Sequence, residues 1–422
     1  MKIRSSLAIG AIAVAAALTL SGCSGGSSNT SSGPVNLTVW TGFTGGDRPG
    51  YTKIVKDFNE SHPKIHVTMN VQPWDTIAQK LPSAWLTGQG PDIAAPSFDP
   101  GVIAQYVKTN SVLPLTNTGS GSTQINVDKL APGTVKEFTY NGKLYAIPAN
   151  FATLSLYYNK KAFAAAGIAA APTTVAEFAE DAKKLTIDQG QTQYGLAVAD
   201  NQTIQMWPIL QWLKGGDIVN SKNCSVLDTA KGQESLKYWS DMVVKDKIAP
   251  VGLTGAEADS LFSAGKAAME MNGPWAASGF KSAGIDLGIA PIPVATDGSK
   301  VTLGSTAPLA ISAKTKHPTE AQEFLAYWSS KDAQRAFSLS TGFPPLRTDL
   351  ADDPKLIADP TVSVFASQVG DARLYLPGVP SSTQVDANGY VPLIGQITRG
   401  DDVATATAAA SKTIDALTGC TP

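Results

Sequence analysis

Residues 35–95 predict an α/β protein, and the amount of chain beyond them predicts two lobes. Strand and helix periodicities alternate five times in that stretch, and the 43% hydrophobic, 16% charged composition is that of a globular chain. Removal of the first 22 of 422 residues leaves more chain than one hydrophobic core usually organises.

The chain starts with an export signal. Lys2 and Arg4 precede an uncharged apolar run from Leu7 to Leu20, closed by Ser21-Gly22-Cys23. A run this short behind a basic start is a secretory signal and too short for a membrane span. The small residues before Cys23 resemble a lipobox, where bacterial lipoproteins are cleaved and the new N-terminal cysteine is acylated. An ordinary cleaved signal, with no special part for Cys23, is the alternative. Ser24 to Pro34 is almost entirely Gly, Ser, Thr and Asn, a flexible tether. Residues 1–22 are thus expected to be signal, and 23–34 an acylated cysteine and its leash.

The body follows. Val35 to Trp40 reads as a strand, Gly42 to Gly50 as a glycine-rich loop, and Ile54, Val55 and Phe58 give helical spacing over 51–59. Ile65 to Val71 is the next strand, Ile77 to Leu86 a helix closed by Gly88, and Asp92 to Ala95 a third strand. Such a pattern puts the ligand crevice at loops beyond the strands' carboxyl ends. Tyr140-Asn141-Gly142-Lys143 is an Asn-Gly hairpin leading into Leu144–Pro148 and then Leu154–Tyr158. Helices are expected from Lys161 to Ala166, from the cap Thr173-Thr174 to Leu185, and over 204–214, 230–244, 256–264, 319–329 and 403–417.

Composition excludes several function classes. With Lys2 and Arg4 gone, the 33 basic residues fall to 31 against 35 acidic, a weak negative balance with no footprint for nucleic acid. Of three histidines, His62 and His66 sit four apart, but Pro63 breaks the helix and 64–69 alternates like a strand, so no metal site is expected. No Gly-x-Ser-x-Gly, His-Glu-x-x-His or P-loop occurs. Cys224 and Cys420, left over in an oxidising compartment, either pair or stay as separate thiols.

Several local patterns then fall in a telling order. Gly88-Gln89-Gly90-Pro91-Asp92-Ile93 follows a helix, and Leu144–Pro148 precedes Leu156-Tyr157-Tyr158-Asn159-Lys160. Phe262, Gly265–Met269 and Asn272-Gly273-Pro274-Trp275 come later, then Ile289–Pro293, Thr319–Trp328 and Thr341–Arg347. The set resembles family 1 of the extracellular solute-binding proteins, which includes maltose-binding protein and other receptors of sugar ABC importers. The resemblance implies a two-lobed periplasmic-binding-protein fold (type II-like), with three interlobe crossovers near 148–151, 293–296 and 338–341. One lobe would hold 35–148 and 297–338, the other 149–296 and 339–422.

A sugar presents apolar C–H faces and a rim of hydroxyls, so its site needs aromatic planes and charged or amide groups. Trp275, in the turn after Gly273-Pro274, aligns with an aromatic that stacks on sugar in the family. Trp207 at a helix start, Trp74 after Pro73 and Trp40 at the end of the first strand are further candidates. Asp47 and Arg48 stand in the glycine-rich loop, where relatives carry an acidic–basic pair. Asp99 follows the third strand, where they place a hydroxyl-binding carboxylate. Asn150 at the first crossover, Ser305 and Thr306 at the re-entry, and Arg347 after Pro344-Pro345-Leu346 complete the expected set. Ala152 stands where maltose-binding protein has a carboxylate, so maltose specificity does not carry over.

The expected function is that of a lipid-anchored monomer on the outer face of the cell membrane. It captures a carbohydrate without chemistry or cofactor and delivers it to an ABC permease. Two alternatives stand beside it. A polyamine or glycerol phosphate site would need an excess of acidic or basic residues at the cleft, which the loops named do not show. A glycosidase using Asp47 and Asp99 would need carboxyls roughly 5–10 Å apart.

Overall fold

A computed structural model describes residues 33–97, 101–116, 124–202, 206–379 and 382–420. The signal, Cys23 and Asp99 lie outside them. The first lobe is built on Val35–Thr41, whose Leu37, Val39 and Thr41 turn inward while Asn36 and Thr38 stay exposed. This strand pairs in parallel with Ile65–Val71 on one side and Ile93–Ala94 on the other. Pro308–Ile311 and Ala146–Pro148 add antiparallel, giving a five-stranded sheet. The helix Arg48–Ser61 lays Tyr51, Ile54, Val55 and Phe58 on it. The helix Trp74–Thr87 contributes Ile77, Leu81 and Trp85 and ends at Gly88, whose φ of 74° needs glycine. Phe324, Trp328 and Phe337 of two later helices join Tyr51, Ile54 and Phe58 in one core, while Ile77, Leu81 and Trp85 form a separate cluster with Ile103, Tyr106 and Phe138.

The second lobe has a four-stranded sheet in the order Leu287–Ala290, Ser155–Asn159, Ala267–Asn272, Tyr194–Ala197. Ala267–Asn272 is central and buried along its whole length. The helix Val175–Lys184 starts with the expected capping box between Thr174 and Glu177. Ala230–Val244 and Val403–Thr418 pack their apolar faces into the same core.

A small third sheet stands where the chain passes between lobes. Thr302–Ser305 pairs with Ala152–Thr153 on one edge and Ala372–Leu374 on the other. Core membership shifts the expected crossings towards the C-terminus. Ala149, Phe151 and Ala152 pack in the first core and Leu154 in the second, so the first passage falls at Thr153. Val301 and Leu303 still belong to the second core and Ala307 to the first, which moves the second passage from 293–296 to about 304–306. Phe343 and Leu346 pack in the first core, and Val369, Ala372 and Leu374 pack against it.

Cys224 and Cys420 form a disulfide with a Cα–Cα distance of 5.2 Å. Asp415 on the last helix accepts a hydrogen bond from the Ser225 amide at 2.7 Å, so the end of the chain is held twice to one loop. Among the described residues, no helix is long and apolar enough to cross a membrane, and no cluster of His, Cys, Asp and Glu is arranged to hold a metal ion.

Candidate functional site

A cavity of about 310 Å³ lies between the lobes. Its walls are the glycine-rich loop after the first strand and the strand-to-helix turn Asn272–Trp275, both at carboxyl ends of strands. Glycine is required in that loop for closeness. A Cβ on Gly42 would fall 2.0 Å from the Trp74 ring, and one on Gly46 would fall 3.0 Å from the Trp275 carbonyl across the cleft.

In the first lobe, Phe43 stacks on Tyr51 at 3.8 Å between centroids and meets Trp74 edge-on at 5.6 Å. Asn150 donates from Nδ2 to Tyr51 Oη and accepts from the Ala307 amide at 3.2 Å, while Thr306 Oγ1 donates to the Asn150 carbonyl at 2.6 Å. Asn150 is thereby fixed between the first helix, through Tyr51, and the link Thr306-Ala307 that leaves the small sheet. Asp47 is buried beside Tyr51. Burial raises its carboxyl to about 6, against the lowering effect of its own backbone amide and the Tyr51 hydroxyl.

In the second lobe, Asn272 Nδ2 donates to Asp259 Oδ1 at 2.8 Å and to Glu270 Oε1 at 2.9 Å. Its own Oδ1 accepts from the Gly273 amide at 2.8 Å. Glu270 stands opposite Tyr157 and Ala197 on the central strand, on a face otherwise made of Ala258, Phe262 and Phe280. Its Oε2 is buried and receives no hydrogen bond. Burial first, then the Asp259 charge, holds Glu270 well above the usual carboxylate range, and burial also raises Asp259. The Asp259 charge beside it favours the protonated form of Glu270.

Trp275 begins the helix Pro274–Ser282, its ring folded over Gly273 and 6.2 Å from Phe343. It packs against both lobes' cores. Of the residues singled out from sequence, Trp275, Trp74, Asp47, Asn150 and Ser305 line the cavity.

The rest stand elsewhere. Trp207 is fully buried, donating Nε1–H to the Ala199 carbonyl at 3.1 Å, and its neighbour Met206 takes the place at the wall. The apolar run of its helix is buried on every side, which overrides the position beside Pro208. Arg347 is also buried away from the cleft, gripping Asp349 through two nitrogens at 2.9 Å each and the Ser329 carbonyl at 2.9 Å. Thr306 faces the Asn150 backbone, Arg48 is exposed at the start of its helix, and Trp40 packs against the Ile77–Leu81–Trp85 cluster off the wall.

Asp259, Glu270, Phe43 and Phe343 were not anticipated. Glu270 left one signal, a single charge inside the otherwise buried run 267–272. The absence of an acidic excess, expected from the loops alone, is also corrected. Asp47, Asp259 and Glu270 line the cavity, and among the described residues no Lys, Arg or His does.

The model of a family described as bacterial extracellular solute-binding protein matches residues 53–364. The maltotriose-binding protein of Pyrococcus abyssi is 24% identical over 368 residues, covering 84% of this chain and 75% of that one. The GacH receptor of Streptomyces glaucescens, solved unliganded and with acarbose, matches with a TM-score of 0.81 at 23% identity over 92% of this chain and 100% of its own. UgpB from Mycobacterium tuberculosis, in complex with glycerophosphocholine, matches at 0.80 and 21% identity over 92% and 98%. At these identities the structural likeness establishes the two-lobed fold.

Proposed function

This chain belongs to the bacterial extracellular solute-binding proteins, and from that premise we propose that it captures a carbohydrate between its lobes and hands it to an ABC importer permease. One observation carries the reading: aromatic rings from both lobes and hydrogen-bonding carboxyl and amide groups converge on one cavity. Rings cover the C–H faces of a saccharide, and the polar groups meet its hydroxyls. The volume lies at the small end of ligand sites, roughly 300–1,000 Å³, and suits a short saccharide. The maltotriose-binding relative supports the same ligand class. Ligand touching both walls favours the closed form, which is the form the permease would recognise.

The chemistry of the site favours a receptor over a glycosidase. A catalytic pair flanks the scissile bond with carboxyls at least about 5 Å apart. Asn272 Nδ2 instead bridges one oxygen of Asp259 and one of Glu270 at 2.8 and 2.9 Å, so this pair is tied by an amide and does not flank an open bond.

The export signal and Cys23 support a lipid-anchored receptor, kept by its tether at high effective concentration near the permease. Mass spectrometry of the membrane-extracted protein tests this. A diacylglyceryl mass on an N-terminal Cys23 is expected, and an unmodified N-terminus would refute the anchor. A second reading, a cationic solute such as a polyamine, is favoured by the three carboxyls at the wall. A thermal-shift screen against mono- and oligosaccharides and spermidine separates the two, since a ligand specific for the native state raises the melting temperature. Shifts with saccharides are expected, and a shift with spermidine alone would overturn the carbohydrate reading.

A further inference from the structure

We propose that Asp259 and Glu270 form the docking point for a protonated amine on the ligand, so that the cleft selects an aminated saccharide over its neutral analogue. The inference rests on the carbohydrate reading and narrows it to a substrate class.

Three facts lead there. The cavity presents three carboxyl groups and, among the described residues, no cationic side chain. Buried negative charge without a positive partner is costly, and a ligand cation is the missing partner. The second fact is Glu270 Oε2, an acceptor with no donor in the protein, on a side chain only 2% exposed. The ordering of the pair makes this specific: Asn272 uses one amide nitrogen to hold one oxygen of each carboxyl, leaving the remaining oxygens to a ligand. The third is the company of Trp275, Trp74 and Phe43, whose ring faces attract a cation and cover a sugar ring equally well.

The groups around Glu270 define the proton balance. On its own strand stands Asn272, on the helix Gly255–Ser263 Asp259, and on the neighbouring strand Tyr157, whose hydroxyl is engaged with the Gly273 carbonyl at 2.7 Å. None is cationic. With no cation beside it, burial and the Asp259 charge favour the protonated Glu270 in the empty site. An arriving ammonium keeps its own three protons and supplies the positive charge, so Glu270 ionises and its proton goes to solvent. Binding of an aminated saccharide therefore releases up to one proton, whereas binding of a neutral saccharide releases none at this pair.

Titration calorimetry of the mature chain at pH 7, in two buffers of different ionisation enthalpy, reads both affinity and proton release. The probes are glucosamine and its β-1,4 dimer, their N-acetylated forms, glucose, maltotriose and spermidine. The expected result is at least tenfold tighter binding of an amino form than of its N-acetyl analogue, with a buffer-dependent heat. Glu270→Gln should remove most of that tenfold difference between amino and N-acetyl forms, and with it the proton release. Asp259→Asn should weaken the amine as well, and circular dichroism confirms that both variants fold.

Equal or weaker binding of the amino forms, or unchanged amine affinity in both variants, overturns the inference. If neither amino sugar binds at millimolar concentration it is likewise overturned, and the neutral saccharides then decide the carbohydrate reading separately. Binding of spermidine with no saccharide overturns both.

Discussion

Ser278 Oγ donates a hydrogen bond to the Gly46 carbonyl at 3.0 Å, joining the second lobe to the first across the mouth of the cleft. The contact exists because residue 46 has no side chain: an added Cβ would lie 2.4 Å from Ser278 Oγ and 3.0 Å from the Trp275 carbonyl. The helix Pro274–Ser282 thus carries both the contact across the cleft and, in its first turn, Trp275 at the cavity wall.

Gly46→Ala should therefore hinder closure. The serine hydroxyl can rotate away, but the Trp275 carbonyl is backbone and cannot. We expect ligand affinity to fall about tenfold with little change in stability, and small-angle scattering of the ligand-saturated variant to show a larger radius of gyration than the parent. Ser278→Ala, which removes one exposed bond worth roughly 0.5–1.5 kcal/mol, should cost only two- to tenfold in affinity. Unchanged affinity in both variants contradicts the contact's part in closure.

Trp275 and Trp207 should separate cleanly on substitution. Trp275→Ala removes a ring at the cavity wall and is expected to lower ligand affinity by a factor of ten or more. Trp207→Ala opens a void in the second core and leaves the Ala199 carbonyl without its donor. It should cost about 3–5 kcal/mol of stability and leave the affinity of the still-folded fraction within twofold. Urea unfolding and calorimetry on the same samples check both, and a large affinity loss with Trp207→Ala would place that ring at the ligand after all.

Asp47 makes stability depend on pH. Its carboxyl titrates near 6 in the folded state against 3.8 when exposed, so between about pH 4 and 6 the folded state binds more protons than the unfolded one. Stability from this group is then greatest below pH 4 and declines as pH rises to 6, by at most about 3 kcal/mol. Glu270 and Asp259 are shifted in the same direction. Asp47→Asn should flatten the decline between pH 4 and 6 and leave the variant more stable than the parent at neutral pH. Urea midpoints at pH 4, 5, 6 and 7 measure it, and parallel curves for the two proteins contradict the assignment.

The disulfide closes a loop between positions 196 residues apart and restrains a long stretch of unfolded chain. The double change Cys224→Ser with Cys420→Ser should lower stability by about 2–5 kcal/mol without altering ligand affinity. Its Tm under non-reducing conditions, compared with the parent's, is the readout, and equal values would mean that Asp415 and the helix packing hold the terminus unaided.

Much of the framework was legible in the sequence because it is written locally. Alternation at Leu37, Val39 and Thr41, the Asn141-Gly142 turn with φ of 50° and 73°, and the Thr174–Glu177 capping box each specify structure within a few residues. The parts of the cleft reached by a loop that follows a strand were legible for the same reason, as with Asp47 and Trp275. Glu270 and Asp259 were not, since their proximity depends on a strand and a helix packing together 11 positions apart in sequence. Phe43 meets the cavity stacked on Tyr51, and Phe343 by a tilted contact with Trp275 from 68 positions away. Arg347 was expected at the cleft because the family often has a cleft or hinge residue there, while its guanidinium is satisfied internally by Asp349 and the Ser329 carbonyl.

The central claim is that the cleft binds a saccharide and leaves it unchanged, and titration of the mature chain with saccharides followed by chromatographic recovery of the ligand tests it most directly. Saturable one-to-one binding at micromolar or tighter strength, about −8 kcal/mol or beyond, with intact ligand recovered is the predicted result. No binding of any saccharide, or recovery of cleaved products after long incubation, would contradict it.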